Sequence, residues 1–390
     1  MSLSEAKKSR PLWIITAAVL ANFLAGLNWT NYPPLIVPIS QEFKNNNTQA
    51  GLLITASSIL AMLLQFPTGY LADRYGSKRV LLILLSILFF PSFLAIFVKD
   101  YAQFFLLRIL AGVAAPIFPV GSLLIANWYP QHRMGLVQGI FGGAFAFGVG
   151  MASLTMPPLA TALSWRTAFL ISALPIIPTL VIFVLFVKES PRGTKPYTKE
   201  DLFSFATVKD KQTWLFTLLN LVFFGTFITY SAWLPTFFAR SYNFSVVLAG
   251  ILAAVSISVG GIARPIGGLL ADKYGKKRMM MLPAVIITVM FILVTLGLDF
   301  SIVLVSSILI GWFTTFGSGA LYGLPPLLFP GKVASVIGFA SVFGILVAGL
   351  ILPPTIGYLL DLTGSFTAGF SILAAIAFVG IIGTLKIRAK

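Results

Sequence analysis

The 390-residue chain contains no cysteine and a single histidine, His132. A disulfide framework, a thiolate nucleophile and a zinc site built from cysteine and histidine are therefore excluded. Acidic residues are also scarce: eleven Asp and Glu stand against 27 Lys and Arg, and charged residues make up only 10% of the chain. Soluble domains carry about 25% charged residues. The composition therefore argues against a protein surrounded by water.

Hydrophobic residues, by contrast, make up 58% of the chain, and the mean hydropathy is +0.95. Polar breaks divide the sequence into twelve apolar stretches, each long enough to cross a bilayer as a helix. We place them at 12–39, 48–71, 80–98, 101–128, 134–157, 166–188, 212–238, 246–271, 279–298, 301–328, 334–361 and 364–386. The sequence therefore predicts an all-α polytopic membrane protein with twelve transmembrane helices, whose main partner is the lipid bilayer.

The net charge of +16 reflects topology and not nucleic-acid binding, because the basic residues neither cluster on one face nor alternate with exposed aromatics. If successive loops lie on alternate sides, 21 Lys and Arg fall on one side and four on the other. We expect the protein to lie in the cell membrane. By the positive-inside rule its basic side, with both termini, should face the cytoplasm. Single cysteines at Ser77 and Lys276 should then react only with reagents inside the cell.

The chain repeats itself at an interval of about 200 residues. The segment GYLADRYGSKR at 69–79 returns as GLLADKYGKKR at 268–278, and WYPQHRMGLVQG at 128–139 is echoed by LFPGKVASVIG at 328–338. We infer two pseudo-symmetric six-helix bundles at 1–188 and 212–390, joined by a Lys-rich cytoplasmic linker at 189–211. Secondary transporters include such parallel halves, with the substrate site between them near the middle of the membrane.

The repeated loop has the residues expected of a cytoplasmic gate and latch. Its glycines permit a tight turn and close helix approach, its aspartate can accept hydrogen bonds from a helix N-terminus, and its basic residues stay on the cytoplasmic side. We therefore interpret it as a gate and do not expect it to contact substrate. Its residues are Gly69, Asp73, Arg74, Gly76 and Arg79 in the first half and Gly268, Asp272, Lys273, Gly275 and Arg278 in the second.

This duplicated motif resembles the signature of the major facilitator superfamily, and LLRILAGVAAP around Arg108 resembles the family's arginine motif on the fourth helix. The resemblance covers essentially the whole chain and implies alternating access between the two bundles. Within the superfamily, RPIGG on helix 8, WYP before helix 5 and the glycine-rich helices 5 and 11 look most like the nitrate/nitrite porters and related organic-anion porters.

The resemblance to those porters implies an arginine on each of helices 2 and 8, both facing the anion. This chain keeps Arg264 on helix 8 but has Gln65 at the symmetry-related position of helix 2. It also lacks the family's asparagine in the glycine motif of helix 5, where GIFGGAFAFGVG stands at 139–150. The choice of anion is therefore left open.

Two arginines, Arg108 and Arg264, lie within predicted spans, whereas none of the eleven acidic residues lies near the middle of one. An unpaired charge in the membrane is costly, so an anionic ligand is the natural partner for such a cation. For Arg264 we favour a ligand contact over a structural arginine satisfied by helix carbonyls, Gln65 and water. For Arg108 we favour packing or gating over a ligand contact.

Other polar and aromatic side chains near the middle of the spans complete the candidate substrate site. Such rings can offer an edge or a hydroxyl to a ligand, although aromatic residues of membrane proteins more often pack or face lipid. The full candidate set is Arg264, Gln65, Arg108, Asn31, Tyr32, Phe118, Tyr230, Trp312 and Tyr322.

The expected activity is transport of a small anion, an inorganic oxyanion or a monocarboxylate, by a carrier that functions as a monomer. The sequence offers no metal cluster, cofactor motif or pair of catalytic groups, so we do not expect an enzyme. Because no carboxylate or histidine lies in mid-span, we expect exchange, facilitated diffusion or a proton carried on a weakly acidic substrate. The alternatives are a carrier of a neutral solute such as a sugar and a non-transporting sensor derived from a transporter.

Overall fold

The computed structural model describes residues 3–129, 134–189, 209–329 and 333–388. Nearly all of these residues are helical, and no strand occurs in these ranges. Within them, twelve helical spans are long and apolar enough to cross a membrane. The predicted all-α polytopic fold is confirmed.

The first six spans, α1 to α6, form the N-terminal half, and several are interrupted by short 3₁₀ turns or breaks. They are α1 (Leu3–Trp29, a 3₁₀ turn at Pro33–Leu35 and Ile36–Phe43), α2 (Asn47–Tyr75), α3 (Ser77–Leu94 and a 3₁₀ turn at Ala95–Phe97), α4 (Tyr101–Ala111, a 3₁₀ turn at Gly112–Ala114 and Ile117–Ala126), α5 (Met134–Ala162) and α6 (Trp165–Ala173 and Ile176–Phe186).

The other six spans, α7 to α12, form the C-terminal half, in which two helices contain π-helical segments. They are α7 (Lys211–Asn220, π-helical Leu221–Gly225 and Thr226–Ser241), α8 (Val246–Tyr274), α9 (Lys276–Thr295), α10 (Phe300–Leu321, followed by Pro325–Leu328), α11 (Val333–Ile345, π-helical Leu346–Ile351 and Leu352–Thr363) and α12 (Thr367–Lys386). Most of the predicted linker, 190–208, lies outside the described residues, so the boundaries at 188 and 212 stay a prediction.

The break in α1 has a local cause in two consecutive prolines. In a continuous helix the carbonyl of Trp29 would accept a hydrogen bond from residue 33, but Pro33 has no N–H. Proline also disfavours helical geometry at the residue before it. The helix therefore stops at Trp29 and leaves a carbonyl, inside the protein, that needs another donor.

Glycines on α5 and α8 bring the two halves into direct backbone contact. A Cβ atom added at Gly143 of α5 would lie 2.3 Å from the carbonyl oxygen of Gly261 of α8, and one at Gly150 would lie 2.0 Å from the hydroxyl of Ser258. A side chain at Gly143 would meet backbone and move the helices apart, whereas one at Gly150 would displace the Ser258 hydroxyl. The α5–α8 contact is therefore one long seam of the interface between the halves.

A second seam joins α2 to α11 towards the predicted external side. Thr55 of α2 donates from its hydroxyl to the carbonyl of Gly349, at 2.9 Å, in the π-helical part of α11. A Cβ at Gly51 would lie 2.5 Å from the carbonyl oxygen of Pro353. The irregular helix of one half is thus held by a side chain of the other.

The repeated gate motif makes its turns as expected but not all of its predicted helix contacts. Gly76 and Gly275 adopt φ angles of 92° and 94°, which glycine reaches without steric cost. Gly69 has no atom within 4 Å of a Cβ position, and Gly268 makes only ordinary contact at 3.6 Å, so neither supplies close helix approach. That role falls to the neighbouring Gly267, where a Cβ would lie 2.1 Å from a carbonyl oxygen of α10.

The two motif positions predicted to be labelled from the cytoplasm, Ser77 and Lys276, are buried. Ser77 is 2% exposed and Lys276 is 9% exposed, so a cysteine at either would be shielded whichever side it faced. Arg79 and Arg278, at equivalent places in the two repeats, are exposed. In this cysteine-free chain, Arg79→Cys and Arg278→Cys should react with a membrane-impermeant maleimide only from the cytoplasm.

Lys99→Cys is the matched control, because Lys99 is exposed at the opposite end of the bundle and should react from outside. Labelling of Arg79→Cys or Arg278→Cys from outside intact cells would overturn the predicted orientation.

Candidate functional site

The guanidinium of Arg264 lies between the two halves and contacts both. It is 9% exposed, and its Nη1 donates to the carbonyl oxygen of Gly142 on α5 at 3.5 Å. Its central carbon lies 5.1 Å from the ring centroid of Phe118 on α4 and 5.3 Å from that of Tyr322 at the end of α10. Three of the predicted site residues, Arg264, Phe118 and Tyr322, therefore form one cluster.

The absence of a side chain at Gly142 makes room for this arginine. A Cβ there would lie 2.7 Å from Nε and 2.8 Å from the central carbon of the Arg264 guanidinium. The carbonyl of the same residue is also the acceptor for Nη1. The glycine-rich segment of α5 thus both admits the cation and supplies a weak acceptor for it.

The charge of Arg264 has no acidic partner among the described residues. The ion pairs in these ranges are Glu42 with Arg166 and Asp272 with Lys276, and neither includes Arg264. A ring face stabilises a desolvated cation by about 2 kcal/mol or more, but it carries no net negative charge, and bringing an ion out of water costs several kcal/mol. The site is therefore electropositive and suited to an anion.

Asn220, which sequence reasoning did not single out, fixes the hydroxyl end of Tyr322. The Tyr322 hydroxyl donates to Oδ1 of Asn220 at 3.2 Å, and Nδ2 of Asn220 donates to the carbonyl of Ala340 at 3.1 Å. Asn220 is 1% exposed and directly precedes the π-helical segment of α7. The sequence feature that could have indicated Asn220 is its isolation, as a polar residue, in the apolar run TLLNLVFF.

A second cluster surrounds Arg108, inside the N-terminal half. Its Nη1 donates to Oδ1 of Asn31 at 3.0 Å, and its Nη2 donates to the carbonyl of Trp29 at 2.6 Å, which is the carbonyl that the α1 break leaves free. Its central carbon lies 5.7 Å from the ring centroid of Tyr32. Asn31, Tyr32 and Arg108 are therefore together, but they form a site separate from Arg264.

The two arginines lie at different depths of the interface. Arg108 is seven residues from the start of α4 at Tyr101, and Arg264 is eighteen residues from the start of α8 at Val246. Both helices begin on the predicted external side. At 1.5 Å per residue the two cations are separated by about 16 Å along the helix direction, so Arg264 is the deeper one.

Within the described ranges, Gln65 and Trp312 make no hydrogen bond or ring contact with the Arg264 guanidinium. Gln65 is half-buried and lies two turns along α2 from Ser58, which approaches Gly349 of the other half. It therefore shares the α2 face at the α2–α11 seam, whereas Arg264 belongs to the α5–α8 seam. Trp312 is half-buried on α10.

Tyr230 lies in the interior of the C-terminal half and not at a site between the halves. It is 2% exposed, its hydroxyl hydrogen-bonds with that of Ser307 at 2.8 Å, and its ring packs edge-on against Phe291 and Phe370. Its hydroxyl is thus engaged by a hydrogen bond, and its ring by packing, within one half. We therefore remove Tyr230 from the candidate substrate site.

Asp361, at the end of α11, joins the halves at the predicted external side. Its carboxylate accepts hydrogen bonds from the backbone and side chain of Asn47, at 3.0 and 2.7 Å, and from those of Thr48, at 2.8 and 2.6 Å. Arg240 adds a hydrogen bond to Oδ1 of Asn47. Because Asn47 begins α2, the carboxylate also faces the positive end of that helix dipole. We call this contact of Asp361 with Asn47 and Thr48 the outer lock.

In this conformation, the latch residues whose side chains are described make no contact between the halves. Arg74 donates to the hydroxyl of Tyr70 at 3.2 Å, and Asp272 pairs with Lys276 at 2.7 Å, both within their own half. Lys273 lies 5.0 Å from the ring centroid of its neighbour Tyr274. Arg79 and Arg278 are exposed. The side chain of Asp73 lies outside the described residues, so its role stays a prediction.

Glu189 instead occupies the turn of the first motif, a contact that sequence reasoning missed. Its carboxylate accepts a hydrogen bond from the backbone N–H of Lys78 at 3.1 Å. A Cβ at Gly76 would lie 2.4 Å from its Oε2, so a larger residue there would displace this carboxylate, in addition to straining the backbone. An acid caps the N-terminus of α3 within the N-terminal half.

Asp361→Ala should loosen the external contact between the halves, because it removes all four acceptor interactions of the outer lock. A cysteine placed at Ser58, which is 2% exposed, should then react with an external maleimide at least about tenfold faster, the change that 1.4 kcal/mol makes in an opening equilibrium. The measurement is the labelling rate of Ser58→Cys with and without Asp361→Ala.

Asp100→Ala is the control for that experiment, because Asp100 also accepts from a helix N-terminus, at Gln103, but within its own half. Equal labelling rates in the Asp361 and Asp100 variants would show that the outer lock does not hold the halves together.

Comparison with known proteins agrees with this architecture. The family model described as Major Facilitator Superfamily matches residues 18–297 and 238–389. A probable nitrate transporter, NarT, of Staphylococcus haemolyticus is 28% identical over 95% of this chain and 94% of its own length. The nitrite extrusion protein of Bacillus subtilis is 24% identical, covering 94% and 91%, and a probable nitrate/nitrite antiporter, NarK1, of Thermus thermophilus is 27% identical, covering 96% and 92%.

Solved structures share the fold at low sequence identity. A D-xylose–proton symporter superposes with a TM-score of 0.80 at 17% identity, covering 97% of this chain and 98% of that one. An inward-facing, unoccupied bacterial homologue of the human lysosomal transporter Spinster gives a TM-score of 0.75 at 17% identity, covering 98% and 99%. The family match over most of the sequence and the twelve spans in two halves lead to one conclusion: the chain belongs to the major facilitator superfamily and is a membrane transporter.

Proposed function

We propose that this transporter moves a small monovalent anion through the interface between its halves, and that Arg264 is the anion anchor. The observation that carries the proposal is the burial of this guanidinium between the halves with no acidic partner in the described part of the chain. An inorganic oxyanion such as nitrate or nitrite is the first candidate, because relatives along most of the chain bear the names of nitrate and nitrite transporters. Monocarboxylates are the second class.

The geometry around Arg264 suits a planar oxyanion. A guanidinium can donate two parallel N–H bonds to such an anion, and a desolvated site strengthens them. The single hydrogen bond to Gly142 is long, at 3.5 Å, so an anion can replace it at small cost. The rings of Phe118, from the N-terminal half, and Tyr322, from the C-terminal half, then pack against the guanidinium. Anion binding thus involves residues of both halves together.

In this proposal the neutral Gln65 leaves the interface position related to Arg264 without a second charge. It lies on the α2 face that meets the other half, and it stands at the position related to Arg264 by the internal repeat. A neutral amide can donate one hydrogen bond without adding a cation. One arginine balances one negative charge, so we expect monovalent anions to be preferred over divalent ones.

Transport requires the halves to open alternately at their two ends. In the described conformation the outer lock of Asp361 is formed, whereas the motif residues with described side chains make contacts within their own half. We propose that these contacts exchange: the outer lock breaks when the cytoplasmic latch forms. The basic side of the protein, with both termini, then faces the cytoplasm of the cell.

Exchange of like-charged anions is the coupling we favour. Inward movement of a monovalent anion against a negative-inside potential costs about 2.3 kcal/mol per 100 mV, and exchange removes that cost. Neither Arg108 nor Arg264 has a carboxylate partner in the described ranges that could relay a proton. A neutral-solute carrier would need a denser set of amide and acidic groups than this interface has. A sensor would bind the anion without moving it, which proteoliposome uptake distinguishes.

Replacement of Arg264 tests the anchor directly. Arg264→Lys keeps the charge but loses the two-point fork, and a hydrogen bond to a charged group contributes about 1.5–3 kcal/mol. Nitrate and nitrite binding to the purified protein should therefore weaken roughly 10- to 150-fold. Arg264→Ala should abolish counterflow of the anion in proteoliposomes while the protein remains folded.

Lys277→Ala is the control, because it removes a cation from the surface of the same half, where its Nζ donates to the carbonyl of Leu385. Full transport by a well-expressed Arg264→Ala variant would leave Arg264 with a structural role only.

Gly142→Ala tests whether the position of the guanidinium matters, without changing any charge. The new Cβ would lie 2.7 Å from Nε of Arg264 and should push the guanidinium away, weakening anion binding by roughly tenfold, or 1.4 kcal/mol. Gly383→Ala is the matched control, since its nearest neighbour, at 3.1 Å, is the flexible end of Leu218. Unchanged nitrate affinity in Gly142→Ala would contradict the proposed binding place.

A further inference from the structure

A small cavity lies between the halves, at the level of Arg108 and outside the Arg264 cluster. Its volume is about 20 Å³, and its wall includes Trp29, Ser57 and Arg108 from the N-terminal half and Thr229, Gly349 and Pro353 from the C-terminal half. We infer that this cavity, with Arg108, is a second, outer station for the transported anion, which fills when the outer lock opens. The inference rests on the proposed function and adds a second binding place to it.

The hydrogen bonds of Arg108 leave its charge only partly compensated. A guanidinium has five N–H groups. Here Nη1 donates to Asn31 and Nη2 to the carbonyl of Trp29, whereas Nε has no partner among the described residues. The residue is 2% exposed, and none of the ion pairs in the described part of the chain includes it. A buried cation with an unused donor at the edge of a cavity is a site for a negative group.

The helix end at the break in α1 supplies part of the negative charge that Arg108 needs. This explains how the buried cation is tolerated while the outer lock is formed. The C-terminal end of a helix carries roughly half a negative charge, and the first helical segment of α1 ends at Trp29, whose carbonyl Arg108 contacts. The ring of Tyr32 adds a weaker cation–π contact. These contacts all come from the break in α1, and Nε is left without a partner in the described part of the chain.

The size of the cavity explains why the station must open to be used. A volume of about 20 Å³ has room for about one water molecule and not for an oxyanion. Its walls belong to both halves, and the outer lock joins those halves at the external end of α2 and α11. Release of the lock therefore widens the cavity and exposes the guanidinium to incoming anions. An anion captured there has about 16 Å to travel to Arg264.

The test counts nitrate ions bound to the purified protein by calorimetry, with the outer lock opened by Asp361→Ala. We expect two nitrate ions per chain in Asp361→Ala. Adding Arg264→Met should remove the inner one and leave the outer, whereas adding Arg108→Met should remove the outer one and leave the inner.

Asn31→Asp provides a second route if Arg108→Met fails to fold. Its carboxylate would replace the amide oxygen that lies 3.0 Å from Nη1 of Arg108, so it supplies an internal counter-charge while Arg108 is kept. In the Asp361→Ala background it should weaken outer nitrate binding at least tenfold. Asn31→Ala is its matched control: it removes the same hydrogen bond without adding charge and should keep the outer binding.

The outcomes separate the two proposals. If Asp361→Ala binds one nitrate through Arg264, or if Arg108→Met and Asn31→Asp leave the second nitrate in place, the outer station is wrong and Arg108 only supports the broken end of α1. If neither the native chain nor Asp361→Ala binds nitrate, nitrite or a monocarboxylate, the proposed function fails, and the outer station fails with it.

Discussion

The burial of a guanidinium between two apolar bundles is the constraint on which the rest of this interface depends. A cation removed from water must find opposite charge, dipoles or ring faces. Around Arg264 the described residues provide two aromatic rings and one distant carbonyl, and no carboxylate. The incomplete compensation makes the interface electropositive. This is the physical basis for proposing an anion and not a neutral solute or a cation.

The same constraint accounts for the glycine pattern of α5. Arg264 is a long side chain on a helix that packs directly against α5, and Gly142 provides the space for its guanidinium. Gly143 brings the backbone of α5 against Gly261 of α8. Small residues along this seam also allow two helices to shift without clashing side chains. Adjacent glycines of one segment thus serve two purposes: Gly143 allows close helix packing, and Gly142 leaves space for the guanidinium.

Irregular helix geometry concentrates where the halves meet. The break in α1 presents the Trp29 carbonyl to Arg108, and the π-helical part of α11 presents the Gly349 carbonyl to Thr55 of the other half. Backbone groups that lack a helical partner in the membrane must be satisfied by other protein groups. Here the partners come from neighbouring helices and from the opposite half. The backbone itself therefore takes part in the contact between the halves.

The sequence by itself determined the twelve spans in two halves, and it singled out Arg264 as a candidate for the anion site. Apolar length, the repeat of the Asp73 and Asp272 loops and the lack of a mid-span acid are local or periodic properties that can be read without coordinates. It also grouped nine substrate-site candidates that the structure separates. Phe118 and Tyr322 lie with Arg264, Asn31 and Tyr32 lie with Arg108, and Tyr230 is packed inside one half.

Only the tertiary structure decided these groupings. Packing between segments distant in sequence sets which face of a helix meets its neighbours and how far along the membrane normal each residue lies. Asp361 and Asn47 are 314 residues apart, and nothing in either local sequence indicates that they meet. Asn220 joins the candidate site only because α7 places it against Tyr322. The residue types were visible in the sequence, whereas their partners were set by how the two halves close on each other.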